Sequence, residues 1–298
     1  MNAFLRDRVT KYFAAQGLSL CGVPGRNRRR LYNGNHGVRI VLFHGAQDDR
    51  EFDCWTRLMD WMREHFFLTG PEAIAELSDG CCAMPPQDRI VITFDDGIDI
   101  EYRAAKWMAD RGIRAMFFIV PSGLDRTVGE YREHHRSHGI EPFPLRPEPS
   151  TRCLSKSQVR EMLAMGHQIG AHNHAHRDLA HLHQSPDLEY EITHAVDEVA
   201  QLLGRPCDDF AWGFGHVRHV SPEAVAVLRT ACKRVYSAVR GLNVPGLTPQ
   251  FLLRDGFQAF HPESFVRLCL EGGLDGFQAK EWAALEAMSG KLPPFKDG

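Results

Sequence analysis

The sequence predicts an α/β fold with a mainly parallel sheet, closed or nearly closed on itself. Three observations predict it. Short apolar, β-branched runs alternate with helix-period segments from Val38 onward. The run Ile90-Val91-Ile92 lacks polar alternation, as suits a strand covered on both faces. That strand then stops at Asp95-Asp96-Gly97, placing two carboxylates at its carboxyl tip, where α/β proteins assemble their sites. At 298 residues and 43% hydrophobic content, the chain can bury one barrel-sized core.

Residues 1–37 read as an appendage. Phe4, Leu5, Val9, Tyr12 and Phe13 recur at near-helical spacing, and after Pro24 the basic run Arg26 to Arg30 reads as a solvated arm. Val38–Phe43 is a strand ending at His44. Phe52, Trp55, Met59, Met62 and Phe66 mark one face of a helix, and Pro71–Leu77 is a short second one. The Asp-Asp strand follows, then a helix carrying Tyr102, Ala105 and Met108 that stops at Gly112. Arg114–Val120 is the next strand.

Residues 121–153 break the rhythm with prolines, charges and three histidines, which points to a lid, a binding loop or disorder. Ser155-x-x-Gln158 is a capping box for a helix ending at Gly166. His167–Ala171 is a strand running straight into more histidines. Ser185-Pro186 starts a helix with Leu188, Ile192, Val196, Val199 and Leu203 on one face and Gly204 at its end. Asp209–Phe214 and Val235–Val239 read as strands flanking a helix capped by Ser221. A short strand at Leu252–Arg254 and helices at Pro262–Gly272 and Ala279–Met288 complete the pattern. Residues 38–290 form the expected domain, and 291–298 a frayed tail.

Charge and cysteine usage narrow the function classes. The net charge of −3 argues against a nucleic-acid partner, yet residues 1–37 hold seven basic residues against Asp7 alone. Such a segment suits a peripheral contact with an anionic membrane surface, or an acidic partner. It is expected to be dispensable for chemistry. Eight scattered cysteines and no apolar signal-type start point to a cytoplasmic protein with reduced thiols, the pair Cys81-Cys82 serving as loop filler.

The chemistry lies in Gly166-His167-Gln168-Ile169-Gly170-Ala171-His172-Asn173-His174-Ala175-His176. His172 and His176, four apart, can aim two imidazoles at one cation from a tight loop. Two imidazoles, one carboxylate and an open position make a catalytic zinc shell. The Asp95-Asp96 tip can supply that carboxylate and leave a second beside it. His174 would point away from such a pair. Asn173 stands where a His-Glu-x-x-His protease needs its glutamate.

These residues carry a family resemblance. Thr93-Phe94-Asp95-Asp96-Gly97 and the histidine segment resemble the first two motifs of the polysaccharide deacetylases (NodB-homology, carbohydrate esterase family 4). Val41-Leu42-Phe43-His44 is similar to the strand opening their catalytic domain, and Phe210-Ala211-Trp212-Gly213-Phe214-Gly215 to their third motif. The similarity spans about residues 38–275. It implies a distorted (β/α)7 barrel and a divalent metal, usually zinc. The implied reaction is hydrolysis of an N-acetyl amide or O-acetyl ester on a carbohydrate. By position it implies Asp96, His172 and His176 as metal ligands and Asp95 as general base. Phe214, through its backbone N–H, would stabilise the oxyanion, and Trp212 would contact substrate.

Two departures stand out. Ala211 occupies the place where the third motif commonly has an arginine that steadies the base. A branch of the family pairs an Ala-aromatic form with a later arginine, which makes Arg254 the candidate substitute. The late Leu-x-His motif is not recognisable, leaving His44 as a candidate proton donor and His261 as a helix-start residue. The expected activity is removal of acetyl from an N-acetylated sugar, oligosaccharide or glycoconjugate. The rivals are a metal-free cyclic-amide or ureide hydrolase of the same fold, a glycosyltransferase using Asp95-Asp96, and a catalytically silent carbohydrate-binding protein.

Overall fold

The computed structural model of the chain describes residues 3–78, 85–141, 148–244 and 251–289. Cys81-Cys82, part of the 121–153 segment and the tail from Lys291 lie outside the described residues. Helices α1 (Ala3–Leu20) and α2 (Val23–Tyr32) lead into strand β1 (Val38–His44). Then come α3 (Asp49–His65), β2 (Phe67–Leu68), α4 (Glu72–Ser78), β3 (Arg89–Asp96), α5 (Ile100–Ala109) and β4 (Ala115–Ile119). Next are α6 (Val128–Ser137), α7 (Lys156–Ala164), β5 (Gln168–Ala171), α8 (Ser185–Leu188) and, after a π-turn over Glu189–Thr193, α9 (His194–Leu203). The remainder is β6 (Asp209–Ala211), α10 (Pro222–Ala231), β7 (Arg234–Tyr236), β8 (Arg254–Gly256), α11 (Glu263–Leu270) and α12 (Ala279–Ser289).

The strands pair in the order β7-β6-β5-β4-β3-β1-β8, with β2 beside β3. Every ladder is parallel. Leu252 bridges the two ends: its N–H donates to Val235 O at 2.9 Å, and Ser237 N–H donates to its carbonyl at 2.8 Å. The sheet is thus nearly closed, a distorted (β/α) barrel as expected. Alternation along the strands builds two cores, one on each face of the sheet. Val38, Ile40, Val91, Met116, Phe118, Ala211 and Tyr236 pack together in one. Their neighbours Val41, Ile90, Ile92 and Phe117 pack with α3, α5 and α9 in the other. Two-face burial explains why the β3 run reads as continuously apolar.

Several expectations needed correction. The solvated arm is instead helix α2, started by Pro24 and closed by left-handed Asn33. Asn27 and Tyr32 on it are buried. Asn27 Nδ2 donates to the Gly272 carbonyl at 2.8 Å, and Tyr32 donates to Asp275 at 2.7 Å. Polar helix faces look solvated in sequence whenever their partners are polar and distant, as these are. Residues 121–153, expected to be a loop, contain α6, with a Thr127/Glu130 capping box. Strand β6 stops at Ala211, short of Phe214, and Phe214 and Gly215 beyond it take positive φ of 65° and 67°. Among the described residues no helix is long and apolar enough to cross a membrane, and Cys21, Cys54, Cys153, Cys207, Cys232 and Cys269 are free thiols.

Candidate metal centre

Strand β3 delivers its two carboxylates differently. In register, Asp95 lies opposite His44 on β1 and Phe118 on β4. Counting by twos from Val91 through Thr93 puts Asp95 on the same face as the Phe118 cluster. Asp96 would face the other way. Its φ of 90°, followed by 72° at Gly97, instead turns the chain tip. A Cβ on Gly97 would sit 3.3 Å from Ile119, so that turn is both tight and crowded. Left-handed backbone at a non-glycine residue is strained, and here it recurs at Asp96, His176 (51°) and Phe214 (65°). Strain gathered at one place of a fold is characteristic of functional sites.

Asp96, His172 and His176 converge, with one ligand atom from each lying within 4.8 Å of the others. His176 Nε2 is 3.5 Å and His172 Nε2 3.8 Å from Asp96 Oδ1. All three are buried. His172 Nδ1 donates to the Ala211 carbonyl at 2.5 Å, which fixes the tautomer and leaves the Nε2 lone pair toward Asp96. Asn173 braces the loop between the histidines, accepting from Gly213 N–H at 3.1 Å and donating to Arg177 O at 2.6 Å. Burial, then the nearby His172, pushes His176 down to about 4, so its imidazole is neutral near pH 7. The donor set fits a divalent ion: donors about 2.0–2.2 Å from a tetrahedral centre stand roughly 3.3–3.6 Å apart, a range that holds the His176 separation and falls 0.2 Å short of the 3.8 Å at His172.

Asp95 is held apart from that set by Arg254. The guanidinium donates Nη1 to Oδ1 at 2.7 Å and Nη2 to Oδ2 at 2.9 Å, and its Nε donates to Ser237 O at 2.6 Å. Arg254 is wholly buried, packed over the Phe118 ring. Burial by itself raises the Asp95 pKa. The charge and hydrogen bonds of Arg254 outweigh it, and Asp95 lies below the ordinary carboxylate range.

A cavity of about 820 Å³ opens over these groups, lined by His44, Asp95, Asp96, His172, His176, Phe214 and His261 among others. Trp212, the expected substrate contact, is not brought there. It is 1% exposed in the core against Phe251, with Nε1 donating to His216 O. Phe214, two residues on, takes the pocket position instead, its ring 5.2 Å from that of His176. Sequence reasoning missed Lys11, Arg132, Arg218 and Arg240 on the same wall. They come from distant parts of the chain, and no local spacing marks them. It also missed Glu101 on α5, which is wholly buried. Burial, then Asp96, pushes its pKa well up. A glutamate in a first helical turn gives no outward sign of this.

The polysaccharide deacetylase family profile matches residues 83–231, a span that holds Asp95, Asp96, His172, His176 and Phe214 but neither His44 nor Arg254. No curated protein matches the sequence. Among solved structures, IcaB from Ammonifex degensii is 19% identical, with a TM-score of 0.60 over 79% of this chain and 97% of its own. The Streptococcus pyogenes deacetylase PplD, solved with acetate, is 17% identical, with a TM-score of 0.57 over 79% and 98%. A de-N-acetylase from Aggregatibacter actinomycetemcomitans is 15% identical, with a TM-score of 0.60 over 77% and 98%. At such identities these likenesses establish a shared fold.

Proposed function

Because this chain belongs to the polysaccharide deacetylase family, a family of hydrolytic carbohydrate deacetylases, we propose that it hydrolyses the N-acetyl amide of a sugar, oligosaccharide or glycoconjugate. The observation that carries this reading is the juxtaposition, in one cavity, of Asp96, His172 and His176 with the Arg254-bound Asp95. Asp96, His172 and His176 would hold a divalent ion, with zinc the best match to a His2Asp set. When bound, it supplies Lewis-acid activation of water and of the acyl carbonyl.

The chain's own residues do the rest. Asp95 accepts the proton of the attacking water, and the two-point grip of Arg254 fixes both oxygens in place. That grip lowers basicity and supplies orientation in return. The Phe214 backbone N–H, on a residue that lines the cavity, would donate to the developing oxyanion. His44 at the mouth is our candidate for protonating the leaving nitrogen.

Among the described residues Lys11, Arg132, Arg218 and Arg240 line the cavity beside Asp95 and Asp96, with Arg240 paired to the buried Asp255. This cationic wall favours a substrate carrying phosphate, such as a lipid- or nucleotide-linked saccharide, over a neutral polymer. Docking at an anionic membrane surface from the cytoplasmic side would then rest on α1, where Tyr12, Phe13 and Leu20 are exposed. The test is acetate release from N-acetylated sugars with and without a phosphate, before and after chelation and with Zn²⁺ restored. Release that is lost on chelation, regained with Zn²⁺ and faster with phosphorylated substrates supports the reading. Absence of acetate from every substrate sinks it.

A further inference from the structure

We propose a second divalent-cation site, formed by His174, His194 and Glu198 beside the loop that carries His172 and His176. Ligand atoms of these three side chains lie within 4.8 Å of one another. His174 Nε2 is 3.4 Å from Glu198 Oε2, and His194 Nε2 is 3.3 Å from Glu198 Oε1. A direct N–H···O hydrogen bond sits nearer 2.9 Å. Donors sharing a tetrahedral ion stand roughly 3.3–3.6 Å apart, as these do. The two imidazole centroids are 4.7 Å apart, close to the 4.9 Å that separates His172 from His176 in the first centre.

The independent sign of a ligand is His174 itself. It is 4% exposed; Nδ1 makes no hydrogen bond, and Nε2 has Glu198 Oε2 only at the long distance of 3.4 Å. A buried imidazole whose Nε2 meets a carboxylate only at 3.4 Å, longer than a good hydrogen bond, recovers little of its desolvation penalty. Coordination through Nε2 would recover it. His194 and Glu198 are four apart on α9 and therefore share a face. Their side chains are 51% and 37% exposed, so an ion can enter from solvent and keep water in its remaining positions. A surface His-Glu pair alone would be an ordinary helix contact. The buried His174, with its Nε2 facing the same carboxylate at 3.4 Å and no closer hydrogen bond, is what makes a site.

The run His172-Asn173-His174-Ala175-His176 would thus serve two ions, His172 and His176 one and His174 the other. The second ion would tie the loop bearing the first centre's histidines to α9, making it a bracing site. It does not depend on the reaction at the first centre.

Zinc content of the full-length chain tests this, measured by mass spectrometry after loading with Zn²⁺ and dialysis against metal-free buffer. Wild type should retain two ions per chain, H172A/H176A one, H194A/E198Q one, and the fourfold variant none, with folding checked by circular dichroism. Added Zn²⁺ should also raise the Tm of H172A/H176A and leave that of the fourfold variant unchanged. One ion in wild type, or two still held by H194A/E198Q, overturns the second site. Two ions in wild type with no acetate released would leave it standing and remove the deacetylase reading.

Discussion

Arg254 on β8 and Asp95 on β3 meet through two parallel hydrogen bonds, at 2.7 and 2.9 Å, with both side chains buried. Two strands that are not adjacent in the sheet order, with β1 between them, supply the partners.

Replacing that guanidinium by an ammonium keeps the charge and loses the fork. We expect Arg254→Lys to lower kcat by about 10–100-fold, the scale of a lost positioning contact, with bound metal unchanged. Arg254→Met leaves Asp95 buried and unpaired and should cost about 3–5 kcal/mol in stability. Kinetics with zinc content check the first, denaturant unfolding the second. Wild-type kcat in Arg254→Lys would remove this arginine from the site.

The neighbouring carboxylates should separate by role. Asp95→Asn should retain metal and lose about 10²–10⁴-fold in kcat, the usual loss on removing a general base. Asp96→Asn should lose metal. Zinc analysis beside acetate release reads both, and the opposite pattern would mean the roles are exchanged.

A third expectation concerns the join between α2 and the barrel. Arg28 donates through Nη1 to Asp88 Oδ1 at 3.0 Å and through Nη2 to Oδ2, and Gly37 N–H also reaches Asp88 at 3.1 Å. Burial raises the Asp88 pKa, but the hydrogen bonds and charge of Arg28 prevail and it lies below the ordinary value. For a carboxylate so depressed, the stabilisation is present above its unfolded pKa of about 3.9 and disappears as pH falls through the lower folded value. Asp88→Asn should therefore cost about 1–3 kcal/mol at pH 7. The gap to wild type should close below about pH 4. Thermal unfolding across pH 3–8 measures it, and a gap that widens in acid would contradict the assignment.

Truncation bears on the same region. A chain beginning at Gly37 loses the Asn27, Arg28 and Tyr32 contacts. It should unfold at lower temperature than one beginning at Gly22, which keeps those contacts and loses only the packing of α1 on α11. Equal Tm values for the two would show α2 to be a true appendage.

Gly215→Ala should be among the worst single changes near the site. The position has φ of 67°, and a Cβ there would lie 2.4 Å from the Ala238 Cβ and 2.6 Å from its nitrogen. A loss of more than about 1 kcal/mol is expected where a side chain meets both strain and backbone. The Tm reads the loss, and kcat should fall with it as the Phe214 backbone is displaced.

By itself the sequence determined the strand-helix alternation, the Asp95-Asp96 strand tip and the His172/His176 pair. Each of these is local. A buried strand needs a continuous apolar run, a helix needs its cap, and two imidazoles that share an ion can sit four residues apart in one loop. The third motif's missing arginine was legible as an absence, with Arg254 its named candidate. Only the tertiary structure decided what stands across from what. It alone brings Arg254 against Asp95, buries Trp212 in the core while Phe214 reaches the pocket, and sets Lys11 on the cavity wall. It also turns a basic run into a helix docked on distant carbonyls, and gathers His174, His194 and Glu198. Contacts between different elements of the chain depend on sheet order and register, and no periodicity along the chain encodes which strand lies beside which.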